Sequence, residues 1–421
     1  VTWMIRCIVF YLLLVNSSFV LPAQAAGQCR YCHNGAVKVQ GVHTAVSCAA
    51  CHQNGSKVIA DPAAGDTGAA GCTGCHKNYQ QLYKQDMATK KKEKQFIAAS
   101  YGRIDADFGK KNCNSCHIKG CKDCHGSGHK ITLPKTDDCT KCHKGYFVGW
   151  DYLGRAPRDD HDRYQRGRFV QGESYLKMLP DIHHSKGMTC GDCHTMQSLL
   201  EGKISARKCI DCHQPDMQVI EHRISAHLEK MECIACHAAW AAQEYGTFYL
   251  QYQGDNPPEP FDRLQLASAG YVKSSYLKRQ DLPPLGINEH GKVAPIRPQF
   301  IAYFSQLGNS WMPAIENKLL IARWRAFTPH TVQRGTVTCD GCHNNPRRFL
   351  LEPPTERIYN LQQDGLGLDS FWDQRGQQMV NGSFMDYARY KRLSARTVEY
   401  ARYYVEKWKK LSKPAEISSQ P

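Results

Sequence analysis

Twenty cysteines of this chain fall into ten C-x-x-C pairs, and a histidine directly follows every pair. The first five are Cys29, Cys32 and His33; Cys48, Cys51 and His52; Cys72, Cys75 and His76; Cys113, Cys116 and His117; Cys121, Cys124 and His125. The second five are Cys139, Cys142 and His143; Cys190, Cys193 and His194; Cys209, Cys212 and His213; Cys233, Cys236 and His237; Cys339, Cys342 and His343. Histidine makes up 19 of 421 residues, so chance would put one after a given pair about once in twenty-two. Two thiols three positions apart can reach both vinyl carbons of one porphyrin and form thioethers. The adjacent imidazole then lies under the iron as its proximal ligand. C-x-x-C-H is the attachment signature of c-type haem, and ten covalently bound haem c groups are expected. Zinc is the competing reading, because paired C-x-x-C motifs can build four-thiolate sites. Zinc leaves the ten following histidines unexplained and suits an intracellular protein better. Thioredoxin-like chemistry needs one such motif near a βαβ unit, not ten.

Nine histidines remain for the second axial position: His43, His129, His161, His183, His184, His222, His227, His290 and His330. Several shortly precede a motif, where a ring can serve a neighbouring haem while the chain turns to receive its own. All but His290, which sits in a motif-free stretch, are taken as distal ligands; taken singly, each could be an ordinary surface histidine. Nine cannot complete ten bis-histidine irons. At least one iron takes another ligand or keeps an open site, and His33 is one candidate for that haem. Methionine ligation would raise a potential, although methionines more often pack.

The chain carries 54 Lys and Arg against 39 Asp and Glu, a formal +15. Its start reads as a secretion signal: Arg6, an apolar run from Cys7 to Val15, then Ala23-Gln24-Ala25 before the cut. Residues 1–25 are that signal, and the mature chain is expected to be exported, to the periplasm or the outer surface. The apolar run is short for a span of about 20 residues, and no later stretch is long and apolar enough to cross a bilayer. Without residues 1–25, 53 cations face 39 acids, a formal +14. Two propionates on each of ten haems would bring −20, so the basic excess is read as their counter-charge. Nucleic acid is excluded as a partner for an exported chain.

Nine motifs lie within 26–237, roughly 23 residues per haem, too little chain for a conventional core. The expected fold is short α-helices and irregular loops wrapped around ten haems, with little β structure and a C-terminal helix. Cys121 lies eight positions after Cys113, at most about 28 Å even when extended, so those two sites are neighbours. Residues 238–338 hold no motif and are rich in aromatics and proline. Within them Thr247–Tyr252 and Gln299–Phe304 read as short strands, in a small subdomain or a wrapping excursion. Residues 339–421 carry the tenth motif and a helix over Met385–Leu411, ended before Pro414. The basic run Lys84–Lys94 reads as a solvated helix face.

The whole chain resembles a multihaem c-type cytochrome. Four blocks resemble, more narrowly, the decahaem-like cytochromes encoded with bacterial selenite/tellurite-reduction operons. They are WDYLGRAPRDDHDRYQRG at 150–167, YLKMLPDIHHSKGMTCGDCHTMQSL at 175–199, HLEKMECIACHAAWAAQEYGTFYL at 227–250 and PHTVQRGTVTCDGCHNNPRRFLLE at 329–352. They cover about a quarter of the chain. The resemblance implies an electron-transfer conduit of the cell envelope, with redox proteins as partners; an oligomer or filament is a separate reading that nothing in the sequence requires. The alternative is a terminal reductase of an oxyanion such as selenite, tellurite or nitrite, using one open haem. Pentahaem nitrite reductases mark their catalytic haem with a proximal lysine, whereas every motif here ends in histidine. The cluster of His161 with Arg158, Asp159, Asp160 and Arg163 could serve an oxyanion, and reads more simply as a distal ligand beside propionate-pairing arginines.

Overall fold

A computed structural model describes residues 40–41, 43–51, 72–113, 117–118, 120–126, 129–143, 151–153, 166–170, 173–177, 180–201, 206–259, 261–263, 265–308, 313–334, 337–357 and 378–412. They divide into two compact units. One is drawn from residues 1–90, 117–139 and 195–205, the other from 91–116, 140–194 and 206–421.

The first unit is made of short pieces. The motif helices Cys48–Cys51 and Cys72–Cys75 are single turns, and a two-residue parallel bridge joins Gln40–Gly41 to Lys130–Ile131. A 3-10 run over Lys77–Lys84 buries Leu82, and the helix Met196–Glu201 buries Ser198 and Leu200. Gly126 ends the fifth motif's helix at φ +102, where a Cβ would come 2.6 Å from the Lys130 carbonyl oxygen. Only glycine takes that backbone without strain.

The second unit corrects the expectation of little β structure. Its centre is an eight-stranded mixed sheet. We number its strands β1 (Trp240–Gln251), β2 (Gln265–Ser268), β3 (Tyr271–Asp281), β4 (Leu285–Asn288), β5 (Val293–Leu307), β6 (Pro313–Ala326), β7 (Gln378–Met379) and β8 (Gly382–Ser383). The order is β7-β6-β5-β1-β3-β2, with β4 pairing β5 and β8. β5 is antiparallel to β6 and parallel to β1, which is antiparallel to β3. A separate three-stranded sheet joins 151–153, 173–177 and 166–170.

The long strands were hidden by punctuation. Pro295 and Pro298 lie inside β5, opposite Leu285 and Trp324, and proline ordinarily argues against a central strand. What overrides it is burial with period two. Ile301 and Tyr303 face a cluster with Ile296, Ala322, Trp324 and Leu350. Ala302 and Phe304 face the opposite cluster with Tyr249 and Tyr271. Both faces of the sheet are therefore covered. Tyr101 and Phe108, flanking and opening the helices α1 (Lys91–Ala99) and α2 (Phe108–Asn112), close the second face, and the Tyr101 hydroxyl donates to the carbonyls of Thr247 at 2.9 Å and Tyr303 at 3.2 Å. Each fully buried large side chain contributes about 1.5–3 kcal/mol, so this half of the chain has a hydrocarbon core of its own. The interior is not left to porphyrins alone.

The C-terminal stretch folds as two helices, α3 (Tyr387–Leu393) and α4 (Val398–Leu411). Asp386 and Thr397 cap them, accepting from the backbone N–H groups of Arg389 and Tyr400. Thr397 supplies the restart that divides the expected single helix.

Candidate metal centres

The sheet's ends anchor the ninth motif and the segment before the seventh. The ninth motif helix, Cys233–His237, runs almost directly into β1. The strip leaving β6 crosses it: Ala239 N–H donates to the Thr331 carbonyl and Gln333 N–H to the His237 carbonyl, at 3.0 and 2.9 Å. The same strip meets the segment before the seventh motif. Val332 N–H donates to Asp181 Oδ2 at 2.6 Å, and Ile182 N–H to the Val332 carbonyl at 3.0 Å. His183, His237 and His330 are thereby set by β1 and β6, although 147 positions separate the outermost two.

Ten of the described histidines meet in twos. His43 lies beside His76, with ring centroids 6.1 Å apart, in the first unit. In the second unit His183 meets His213 at 5.9 Å, His330 meets His194 at 6.2 Å, His222 meets His237 at 6.1 Å and His227 meets His343 at 6.0 Å. Each pair joins one motif histidine to one histidine from outside the motifs. A metal–imidazole bond of about 2.0–2.1 Å, with the nitrogen about 1.1 Å from its ring centroid, puts two axial rings about 6.2–6.4 Å apart. All five separations fall within a few tenths of an ångström of that span.

The rings are also oriented. In the fourth pair both Nδ1 atoms are engaged by main-chain carbonyls, His222 with Asp216 at 3.0 Å and His237 with Gln333 at 3.1 Å. His125 Nδ1 meets the Thr132 carbonyl at 3.0 Å, and His183 Nδ1 meets Asp181 Oδ1 at 3.0 Å. An Nδ1–H donated to an oxygen fixes the tautomer and leaves Nε2 with its lone pair for a metal. Burial holds His194, His227, His330 and His343 below the ordinary imidazole range. They stay neutral, which is the ligating form.

Partners come from distant segments. His227 precedes the ninth motif and meets the tenth, His330 precedes the tenth and meets the seventh, and His183 precedes the seventh and meets the eighth. The cysteines follow the same path. Cys193 lies within electrostatic reach of Cys212, Cys209 and Cys233 share a hydrogen bond, and Cys236 lies within electrostatic reach of Cys342. Motifs seven to ten therefore neighbour one another in chain order. The shared bond holds the Cys233 thiol low and Cys209 high, and burial pushes Cys236 up to about 12. In the first unit Cys72 and Cys121 share a hydrogen bond, and Cys121 Sγ lies 3.3 Å from the Tyr83 hydroxyl. No disulfide involves the sixteen cysteines whose side chains are described. Among the described residues no group of three or more His, Cys, Asp or Glu side chains converges on one point. Thiols paired for attachment and imidazoles paired across a metal-sized gap fit c-type haem.

The other expected ligands among the described residues are not members of these five pairs. His129 is exposed, and His117 and His184 are half-buried. His143 is held below the ordinary imidazole value by burial and by His194. His290 is exposed in the turn between β4 and β5. Met385 is buried in a core cluster, with Met231 packed against it. Cys29, Cys32, His33, His52, Cys116 and His161 lie outside the described residues, as do residues 1–25, Arg158, Asp159, Asp160 and Arg163; for Cys48 only the backbone is described. Two site residues escaped the sequence reading, Asp181 and Arg348. Asp181 had a signal, since Pro180-Asp181 opens a helix and the acid sits two residues before His183.

Residues 182–248 match the family model described as cytochrome c3. The match spans motifs seven to nine with His183, His184, His222 and His227, and it supports a multihaem electron-transfer cytochrome with covalently bound haem c. No curated protein and no solved structure matches the chain. Among the described residues no helix is long and apolar enough to cross a membrane.

Proposed function

We propose that the chain is an exported decahaem c-type cytochrome that carries electrons between redox proteins of the cell envelope. The observation that supports it most is the pairing rule: each of the five facing pairs joins a C-x-x-C-H histidine to a histidine outside the motifs, about 6 Å away. Haem, once bound, supplies one-electron chemistry at low potential. The residues do the rest. Paired imidazoles would hold the metal and keep substrates off it, Nδ1 bonds fix their tautomers, and thiols of successive motifs would hold neighbouring sites close. The four blocks similar to cytochromes of selenite/tellurite-reduction operons suggest respiratory reduction outside the cytoplasm, and residues 1–25 suggest export.

The histidine count favours a second reading. Nine rings cannot serve ten motifs, and one open centre would suit an oxyanion reductase. The ferric spectrum separates the two. A wholly low-spin protein unresponsive to carbon monoxide, nitrite and selenite is the conduit. A high-spin centre that binds and turns over one of them is the reductase.

A further inference from the structure

Two buried charges flank the run of motifs seven to ten, and they have opposite signs. Asp181 is 5% exposed. Its Oδ1 meets His183 Nδ1 at 3.0 Å, and its Oδ2 accepts from Val332 N–H at 2.6 Å. A carboxylate on the far nitrogen makes an imidazole a stronger electron donor to whatever metal Nε2 binds. That favours the oxidised metal between His183 and His213.

Arg348 is 3% exposed at the other end of the run. Its Nη2 donates to the Ala235 carbonyl at 2.6 Å, inside the ninth motif, and its Nη1 lies 3.6 Å from Cys342 Sγ of the tenth. Its charge lies within electrostatic reach of both Cys236 and Cys342. Among the described residues this guanidinium forms no hydrogen bond or ion pair to a carboxylate, and its Nε meets no acceptor. A buried cation without a carboxylate is costly. What it faces is the pair of attachment sulfurs where two sites meet, and a positive charge there favours the added electron.

Other charges nearby are weaker or differently aimed. Glu221 reaches the tenth motif but is held by Lys407 at 3.0 Å. Asp340 accepts from the Tyr404 hydroxyl. Asp192 and Arg207, beside Cys193, are exposed and screened by solvent. Arg297 acts on His330, outside the two centres compared.

We propose that Asp181 and Arg348 are positioning residues that tilt this run electrically. The His183–His213 centre is made hard to reduce and the junction of motifs nine and ten easy, so electrons settle toward the tenth motif. This rests on the haem reading above.

The test is a redox titration of the full, haem-loaded chain and of Asp181→Asn, Arg348→Gln and Arg348→Lys, with haem content measured for each. Asp181→Asn is expected to raise the potential of one centre. Arg348→Gln is expected to lower two, shifting their reduced-to-oxidised ratio at fixed poise by about tenfold, and Arg348→Lys to restore most of it. A structural role alone would change melting without moving potentials. The unsubstituted protein gives a second measurement that no folding defect can obscure. As the poise falls, the ring resonances of His227 and His343 are expected to lose their paramagnetic shifts before those of His183 and His213. A loaded protein with the reverse or a simultaneous order overturns the tilt alone. A protein that carries no haem overturns the parent reading instead.

Discussion

His222 and His237 face each other with ring centroids 6.1 Å apart, and each has its Nδ1 against a main-chain carbonyl. Neither ring can turn without giving up that bond, so both present Nε2 to the gap. Replacing His222 by alanine is expected to convert one haem centre from low-spin to high-spin and leave the others unchanged. His290→Ala, in the exposed turn after β4, is the matched control and is expected to change nothing. Ferric absorption and electron paramagnetic resonance spectra check both.

The pairing of His227 with His343 ties positions 116 residues apart. Closing so long a loop removes entropy from the unfolded chain, and a covalent staple of that reach is worth about 2–4 kcal/mol. Cys339→Ala with Cys342→Ala is expected to release that amount and to loosen α4, whose Tyr400 ring lies 5.0 Å from His343 and whose Tyr404 hydroxyl bonds Asp340. Thermal unfolding gives the loss, and limited proteolysis within 387–411 reports the loosening.

Trp324 is fully buried where β6 meets β5, against Ile296, Ile301 and Tyr303. Trp324→Ala is expected to cost about 3–5 kcal/mol. Strand signal in far-ultraviolet circular dichroism should melt at a lower temperature in the variant, while haem absorbance in its first unit persists.

Asp105 joins α1 and α2 to the sheet. It accepts from Lys111 at 2.8 Å and from the Tyr271 hydroxyl at 3.0 Å. The Lys111 bond comes first, and the Tyr271 bond adds to it, in holding the carboxyl below its ordinary value. A depressed carboxylate binds fewer protons folded than unfolded. Its stabilisation is therefore complete above about pH 4 and is lost as the pH falls through the folded value. Tyr271→Phe is expected to cost about 1 kcal/mol at neutral pH and to flatten the acid limb of a stability–pH curve measured between pH 2 and 6.

The attachment chemistry was legible in the sequence because C-x-x-C-H is local: two thiols and a ring within five positions. Distal partners were legible only as a set. Which ring meets which motif depends on β1 and β6, whose pairing draws His330 to His194 across 136 positions. The sheet was underread because Pro295 and Pro298 break up β5 while alternation at Ile301, Ala302, Tyr303 and Phe304 sorts its faces. Main-chain acceptors such as the Gln333 and Asp216 carbonyls have no sequence signature, since every residue carries one. Arg348 looked like one of two adjacent arginines, and only its burial against Ala235 and Cys342 distinguishes it from Arg347.

The proposed function reads the paired imidazoles and adjoining thiols as holding haems attached through thioethers. The mass of the intact, natively produced chain is the most direct check. The account requires a gain equal to ten haem groups over the mature polypeptide; a chain that flies at its bare mass, or with zinc in its thiol pairs, would contradict it.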